Sequence, residues 1–256
     1  MTRITRLCRY PVKGLSADDL TAIDLTTGQS MPFDRKWAIA HGSTGFDPAD
    51  PKHLPKTSYL QLMQHERLAT LDAQFDDAGQ TLTLLRDGRQ VARGNLSLPI
   101  GRSLIEQFLS AWAKEELRGA PRIVAAPGAE LSDVGLPVLS LINLNTLRDI
   151  ERVARKPVDP MRFRGNIYVD DMPAWAEFDL IGKPVKAGGA RLQGLARIDR
   201  CGATNVNPAT AERDMQIPKV LQSGFGHVDC GIYLSVTGDG RIAVGDSLGE
   251  GDDGNG

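Results

Sequence analysis

The chain has 256 residues, with 30 basic and 32 acidic side chains and a formal net charge of −2, so it can bury a real core, in one large domain or two lobes sharing an interface, and it lacks the overall basic field that nucleic acid or an anionic membrane would need. Three widely spaced cysteines, Cys8, Cys201 and Cys230, exclude a disulfide framework and a local Cys-x-x-Cys site and point to a reducing compartment. No apolar leader follows the basic N-terminus and no run approaches the ~20 apolar residues of a membrane helix, so a cytoplasmic protein is expected.

Residues 3–9 (RITRLCR) predict an opening strand, broken at Tyr10-Pro11-Val12-Lys13-Gly14 because proline cannot donate to a ladder, with Lys13 at the strand exit. Leu20, Ile23 and Leu25 mark a strand within 18–26, and Trp37 and Ile39, at period two, another over 35–40. The segment 41–59 is rich in Gly, Pro, Ser and Asp and too long for a turn; it is a candidate lid that selects substrate. Strands over 67–75 and 81–86 follow, the second turning at Asp87-Gly88 into a hairpin.

Leu104, Ile105, Phe108, Leu109 and Trp112 recur at helical spacing within 99–117, and Gly119 and Pro121 stop that helix. A boundary just before it, near residue 98, divides the chain into lobes 1–98 and 99–248, leaving 249–256 (GEGDDGNG with its first residue at Gly249) as a tail too polar to pack. A strand over 139–144 containing Ser140 and Asn143 leads into a helix over 147–154. A strand over 163–169 carries Arg164 and Asn166, one over 189–200 runs into Cys201, and 230–244 predicts a hairpin turned at Gly238-Asp239-Gly240. Two helices against roughly a dozen short strands predict a mainly β fold with barrel-like closure.

The chemistry centres on Cys201 in ARIDRCGATNVNPATAERD. A thiolate at a loop mouth beside Arg197 and Arg200 suits a nucleophile or soft-metal ligand, because positive charge favours the deprotonated sulfur; a lone cysteine there is equally read as a small buried apolar residue. Cys230 reads as a core or strand-edge cysteine, with a second redox thiol as the lesser alternative. The glycines of 188–194 lack dinucleotide-binding spacing, no Walker-type loop is present, and His65-Glu66 lacks a zincin's second histidine.

Arg200-Cys201-Gly-Ala-Thr204-Asn-Val206-Asn-Pro208-Ala-Thr210 resembles the cysteine loop of the MOSC family, the molybdenum cofactor sulfurase C-terminal domain; Asn205 and Ala211 stand where that family often has Thr and Gly. Tyr10-Pro11-Val12-Lys13-Gly14 and Asp34-Arg35-Lys36-Trp37 resemble motifs of the N-terminal β-barrel lobe that precedes MOSC in amidoxime-reducing proteins, with Gly14 in place of a serine. Ser140-Leu-Ile-Asn143-Leu144 and Arg162-Phe163-Arg164-Gly165-Asn166-Ile167 resemble two further motifs, Gly165 replacing a proline. The resemblance implies an N-terminal β-barrel-like lobe, a C-terminal MOSC β-barrel with a few helices, and a molybdopterin cofactor whose molybdenum is ligated by Cys201.

Lys13 would then offer an ammonium to the phosphate, Arg35 and Arg164 planar forks, and Ser140, Asn143 and Asn166 mixed donors and acceptors for pterin edges, with Arg200 and Thr204 alongside. Each has a plain alternative: a solvated lysine, a surface Asp34–Arg35 pair, a helix cap at Asn143. The implied activity is two-electron reduction of N-hydroxylated compounds, served by a separate flavoprotein, ferredoxin or cytochrome. The alternatives are a sulfur carrier bearing a persulfide on Cys201, supplied by a pyridoxal-phosphate-dependent cysteine desulfurase, and a binding module that has lost the cofactor.

Overall fold

In the computed structural model, which describes residues 1–47, 54–125 and 131–251, fifteen strands and three α-helices form among the described residues. The first half holds β1 (Arg3–Arg9), β2 (Asp18–Leu20), β3 (Ala22–Leu25), β4 (Trp37–Ala40), β5 (Asp72–Asp76), β6 (Thr81–Arg86), β7 (Arg89–Asn95), α1 (Pro99–Trp112) and β8 (Arg122–Ala125). The second holds β9 (Leu139–Asn143), α2 (Leu144–Ala154), β10 (Ile167–Asp170), β11 (Pro184–Ala187), β12 (Ala190–Asp199), α3 (Ile217–Phe225), β13 (Asp229–Gly238), β14 (Gly240–Ala243) and β15 (Leu248–Glu250).

One curled eight-stranded sheet, in the order β15-β11-β12-β13-β9-β10-β1-β2, makes a half-barrel. Its pairs are antiparallel except β9 with β10. Because β1 pairs with β10, the N-terminus is built into the sheet of the second half. Every residue of β9 is buried. Its alternation sends Leu139 and Leu141 into the barrel core with Ile232 and Leu234, while Ile142 joins α2, α3, Cys8 and Tyr10 on the other face. Each such aliphatic side chain contributes about 1.5–3 kcal/mol, which fixes the register of the central strands.

The other core lies in the first half. Helix α1 buries Ile105 and Leu109 against Trp37, Leu60, Leu82 and Leu84, and it rests directly on β7. A side-chain carbon at Gly94 would meet the Gly101 carbonyl at 2.0 Å, and one at Gly101 would meet Asn95 equally closely. Only glycine allows that approach. The helix therefore packs on the first half, across the boundary expected near residue 98.

Other expectations need correction. The strand expected over 18–26 is two strands, since β2 pairs with β1 and β3 crosses to β14. That pairing also undoes the hairpin expected over 230–244: β13 lies between β12 and β9, and β14 leaves for β3 after the turn at Asp239. Glu66–Thr70 is a 3-10 turn, so the strand expected over 67–75 begins only at Asp72. Pro160–Phe163 is another, followed by Arg164 at φ 52°, so the next strand starts at Ile167. Gly249 and Glu250, expected in an unpacked tail, instead pair with Lys186 and Val185, and 252–256 lie outside the described residues. Helix α3 and strands β8 and β11, each of nine residues or fewer, carry too little periodicity to stand out in the sequence. Among the described residues, no helix is long and apolar enough to cross a membrane.

Candidate functional site

Two segments of the first half meet before they meet the second. Lys13 N donates to the Trp37 carbonyl and Trp37 N to that of Pro11, at 2.8 and 3.1 Å, so the two N-terminal motifs run side by side. This lays Lys13, Gly14 and Arg35 along one wall of a cavity of about 150 Å³. The opposite wall comes from the second half: Ser140 on β9, Arg162 and Arg164 around the 3-10 turn, Asn166 before β10, and Arg200, Cys201 and Thr204 after β12. A cavity of about 210 Å³ overlaps it, sharing Lys13, Lys56, Asp133, Asp199 and Cys201 among its lining residues and adding Leu54. Of the residues singled out in the sequence, Lys13, Arg35, Ser140, Arg164, Asn166, Arg200, Cys201 and Thr204 converge here; Asn143 does not.

Asn143 caps α2, its side-chain oxygen accepting from Asn145 N at 3.0 Å, while its amide donates to Glu177 at 2.9 Å and to the Pro173 carbonyl. Ser140 and Asn166 line the cavity but hold each other, Ser140 Oγ donating to Asn166 Oδ1 at 2.8 Å and Asn166 Nδ2 donating to the Cys8 carbonyl at 3.1 Å. They tie β9, β10 and β1 together behind the wall. Gly14 has φ +89°, and a side-chain carbon there would stand 2.8 Å from the Leu60 carbonyl, so the serine of the resembling motif would be strained here. Gly165 N donates to the Tyr168 hydroxyl at 2.9 Å, a bond that proline could not make.

The charges are organised by pairs. Arg35 pairs with Asp34, whose other oxygen accepts from Tyr10 N. Lys13 is 8% exposed and donates to Asp133 at 2.6 Å and to the Leu131 carbonyl at 2.9 Å. Burial pulls the Lys13 pKa down, and Arg35 and Arg164 act the same way against Asp133. Burial works to raise Asp133, but Lys13, Lys56 and Arg35 together hold it below the usual carboxylate range. Arg162 is paired with Asp214 at 2.6 Å and donates to the Asn205 carbonyl, tying its turn to the cysteine loop. The guanidinium groups of Arg164 and Arg200 instead donate to backbone carbonyls, of Leu15 and of Cys230 and Phe163, and lie over the rings of Tyr10 and Phe163. Among the described residues neither has a carboxylate partner.

Cys201 begins the 3-10 turn Gly202–Asn205, and its carbonyl accepts from Thr204 N and Oγ1 at 3.1 and 2.8 Å. It is partly exposed, whereas Cys8 and Cys230 are buried and burial pushes both their thiols up to about 12. Cys230 therefore has no access to the site as a redox thiol. Arg197, expected beside Cys201, turns to the other side, pairing with Asp229 and stacking on Phe178 at 4.2 Å.

Sequence reading missed Asp34, Lys56, Asp133, Arg162, Asp199 and Tyr233, which also line the cavity. For Arg162 the signal was present in the quoted Arg-x-Arg motif; for Asp133, which meets Lys13 across 120 residues, no local signal existed. The segment 41–59 contributes Lys56, while its residues 48–53 lie outside the described residues. Among the described residues, six cationic side chains line the cavity with three carboxylates, a local excess of positive charge in a chain of net charge −2.

Residues 1–113 match the MOSC N-terminal beta barrel domain, and residues 137–249 match the MOSC domain. The chain belongs to the MOSC family. Similar solved structures include YiiM from Geobacillus stearothermophilus, 20% identical over 46% of this chain and 56% of that one with a TM-score of 0.36. YiiM from Escherichia coli is 21% identical over 44% and 54%, with a TM-score of 0.31. The YuaD protein from Bacillus subtilis is 12% identical over 97% and 94%, with a TM-score of 0.45. This MOSC chain thus spans little more than half the length of either YiiM chain, and no curated protein matches it.

Proposed function

We propose that this MOSC protein is a molybdenum-cofactor-binding oxidoreductase that reduces N-hydroxylated compounds, with Cys201 as the metal's protein ligand. The observation that carries this reading is a cationic cavity walled by the chain's single accessible thiol. The residues fit such a group on two counts. Arg164 and Arg200 keep charges that no carboxylate neutralises among the described residues, which suits a phosphate-bearing ligand. Among the described residues no three His, Cys, Asp or Glu side chains cluster for a metal, and a metal that brings its other ligands with it, as molybdenum in a pterin does, needs only the one thiol.

Bound molybdenum supplies the two-electron redox change. Overall, an N–OH bond breaks, two electrons arrive from a separate donor, two protons are taken up, and water leaves. Within the chain, Arg35, Arg164 and Arg200 hold and orient the anionic group, Ser140 and Asn166 stiffen the wall behind it, and the Thr204 bond to the Cys201 carbonyl fixes the turn that presents the thiol. The Lys13–Asp133 pair keeps a proton-bearing ammonium where the two cavities overlap.

The same free thiol would serve a persulfide carrier, so the test separates the two. Molybdenum and pterin are measured in protein purified from a molybdenum-replete host, wild type beside Cys201→Ala. Near-stoichiometric molybdenum, lost or electronically altered in the variant, together with turnover of an amidoxime by the wild type, supports the reductase. Metal absent from both proteins, with labile sulfur on Cys201, overturns it in favour of a carrier.

A further inference from the structure

Two buried N–H donors in the cavity wall have nothing to donate to. Gln61 is 7% exposed and Arg162 4% exposed, and both line the cavity of about 150 Å³. Among the described residues, Gln61 Nε2 and Arg162 Nε make no hydrogen bond, and the other buried side-chain atoms in that state belong to residues that do not line this cavity. A buried donor left unpaired bears its full desolvation penalty, so folded proteins keep few of them. The remainder of each side chain is held in place. Gln61 Oε1 accepts from Met63 N at 2.8 Å, which sets the orientation of the amide and leaves Nε2 as its free end. A side-chain carbon at Gly14 would lie 3.4 Å from Gln61 Cα, so Gln61 enters the wall beside Gly14, where the resembling motif has a hydroxyl and this chain has none. Arg162 donates through Nη2 to Asp214 at 2.6 Å and through Nη1 to the Asn205 carbonyl at 3.1 Å, and the planar guanidinium then fixes the direction of the spare Nε–H.

We infer that these two donors are binding residues of the cavity: Gln61 Nε2–H from the first half and Arg162 Nε–H from the second donate to oxygen acceptors of its anionic occupant, which is thereby held by both halves at once. The inference rests on the reductase reading for the identity of that occupant, and adds two residues to those that hold its anionic group. Their part differs from that of Arg35, Arg164 and Arg200. Those three act chiefly through charge, which draws in any anion. The Gln61 amide carries no charge, and Asp214 already neutralises Arg162; each offers a directional N–H that weakens steeply when the acceptor is out of line. The pair therefore fixes where the acceptor oxygens sit, and with them the rest of the molecule. The competing occupant is a buried water, which also seeks orphaned polar groups, and the test separates the two.

Nitrogen–proton spectra of the full chain are recorded during titration with inorganic pyrophosphate, the Gln61 side-chain amide being assigned from Gln61→Met and the Arg162 Nε–H from Arg162→Lys. Both signals should shift downfield and saturate together. Calorimetry should show pyrophosphate affinity about tenfold lower in Gln61→Met, the loss of one hydrogen bond to a charged acceptor. Should Arg162→Lys fail to fold, since it also disturbs the bonds to Asp214 and Asn205, the Gln61 amide carries the test. Pyrophosphate bound with both signals unmoved, or not bound by wild type at all, would assign the donors to buried water and overturn the inference. Saturating shifts in a protein that takes up no molybdenum would uphold the two donors and sink the reductase reading. Molybdenum taken up with both signals identical in loaded and unloaded protein would sink the inference and spare that reading.

Discussion

Arg35 and Arg164 share one aromatic ring: their guanidinium carbons lie 4.7 and 4.2 Å from the centroid of Tyr10, and Arg35 Nη2 donates to the Arg164 carbonyl at 2.9 Å. Both residues have left-handed backbones, at φ 49° and 52°. The ring face attracts each cation, but two like charges in one wall repel. Burial and Arg35 accordingly lower the pKa of Arg164, although Tyr10 and Asp34 support its charge. A wall built this way is held ready for an anion at some expense to its own stability.

Replacing Arg164 with Met should therefore separate binding from folding. The variant keeps most of the side chain's length over Tyr10 and removes the charge without a carboxylate partner. Affinity for inorganic phosphate or pyrophosphate should fall about tenfold, the loss of one charge-assisted contact, while the urea midpoint stays level or rises. A large loss of stability with unchanged anion affinity would show that Arg164 is a structural strut.

The cysteines give a second, simpler check. Cys8 and Cys230 are buried with thiols pushed up to about 12, and Cys201 is partly exposed. Since the thiolate is the reactive form, iodoacetamide should modify one cysteine per native chain at pH 8, three after unfolding, and none in native Cys201→Ala over the same time. Mass spectrometry counts the adducts, and modification of Cys230 in the native chain would refute the burial argument.

Much of the site was legible because its motifs sit at element ends, where loops expose side chains: Lys13 after β1, Arg200 and Cys201 after β12. The mainly β fold was legible from the alternation in β6 and β13. What stayed hidden depends on contacts between distant segments. Asp133 gains its meaning only beside Lys13, β14 leaves β13 because Ile242 is needed opposite Ile23, and α1 joins the first half through Gly94 and Gly101. Asn143 was ambiguous in sequence, since the same amide suits a ligand or a helix cap, and tertiary packing chose the cap.

The departure at Ala211, where the resembling loop often has glycine, falls on a residue with φ 60°. An L-residue pays roughly 1–2 kcal/mol for that conformation. Ala211→Gly should therefore stabilise the protein by about 1 kcal/mol after the added chain entropy of glycine is subtracted, seen as a raised urea midpoint with unchanged cofactor content. A fall in stability would mean that the methyl group makes a compensating contact.

Asn143→Ala should act on stability and not on the site. Removing the cap costs about 1 kcal/mol, and Glu177, fully buried and raised in pKa mainly by desolvation, loses one of its donors, adding about 1–3 kcal/mol. Thermal or chemical denaturation should show the sum, while anion affinity of the folded fraction stays at the wild-type value. A selective loss of anion binding would return Asn143 to the site.

His41 sets the acid limit of the fold. It is fully buried, accepts from Arg118 N at Nδ1, has no hydrogen-bond partner for Nε2 among the described residues, and faces His65 with ring centroids 5.4 Å apart. Burial, with Arg118 and His65, lowers its pKa from 6.5 to about 4. Between those values the unfolded chain binds the proton more readily than the folded one, so this contribution is present in full above about 6.5 and is lost as pH falls toward about 4. The expected loss is about 3 kcal/mol from that depressed histidine, in addition to the ordinary loss from carboxylates such as Asp133. Urea denaturation of wild type and His41→Gln at pH 7 and pH 4.5 measures the difference. The glutamine can still accept from Arg118 N but cannot be charged, so its stability should fall less on acidification; parallel falls in both proteins would exclude His41 as the group responsible.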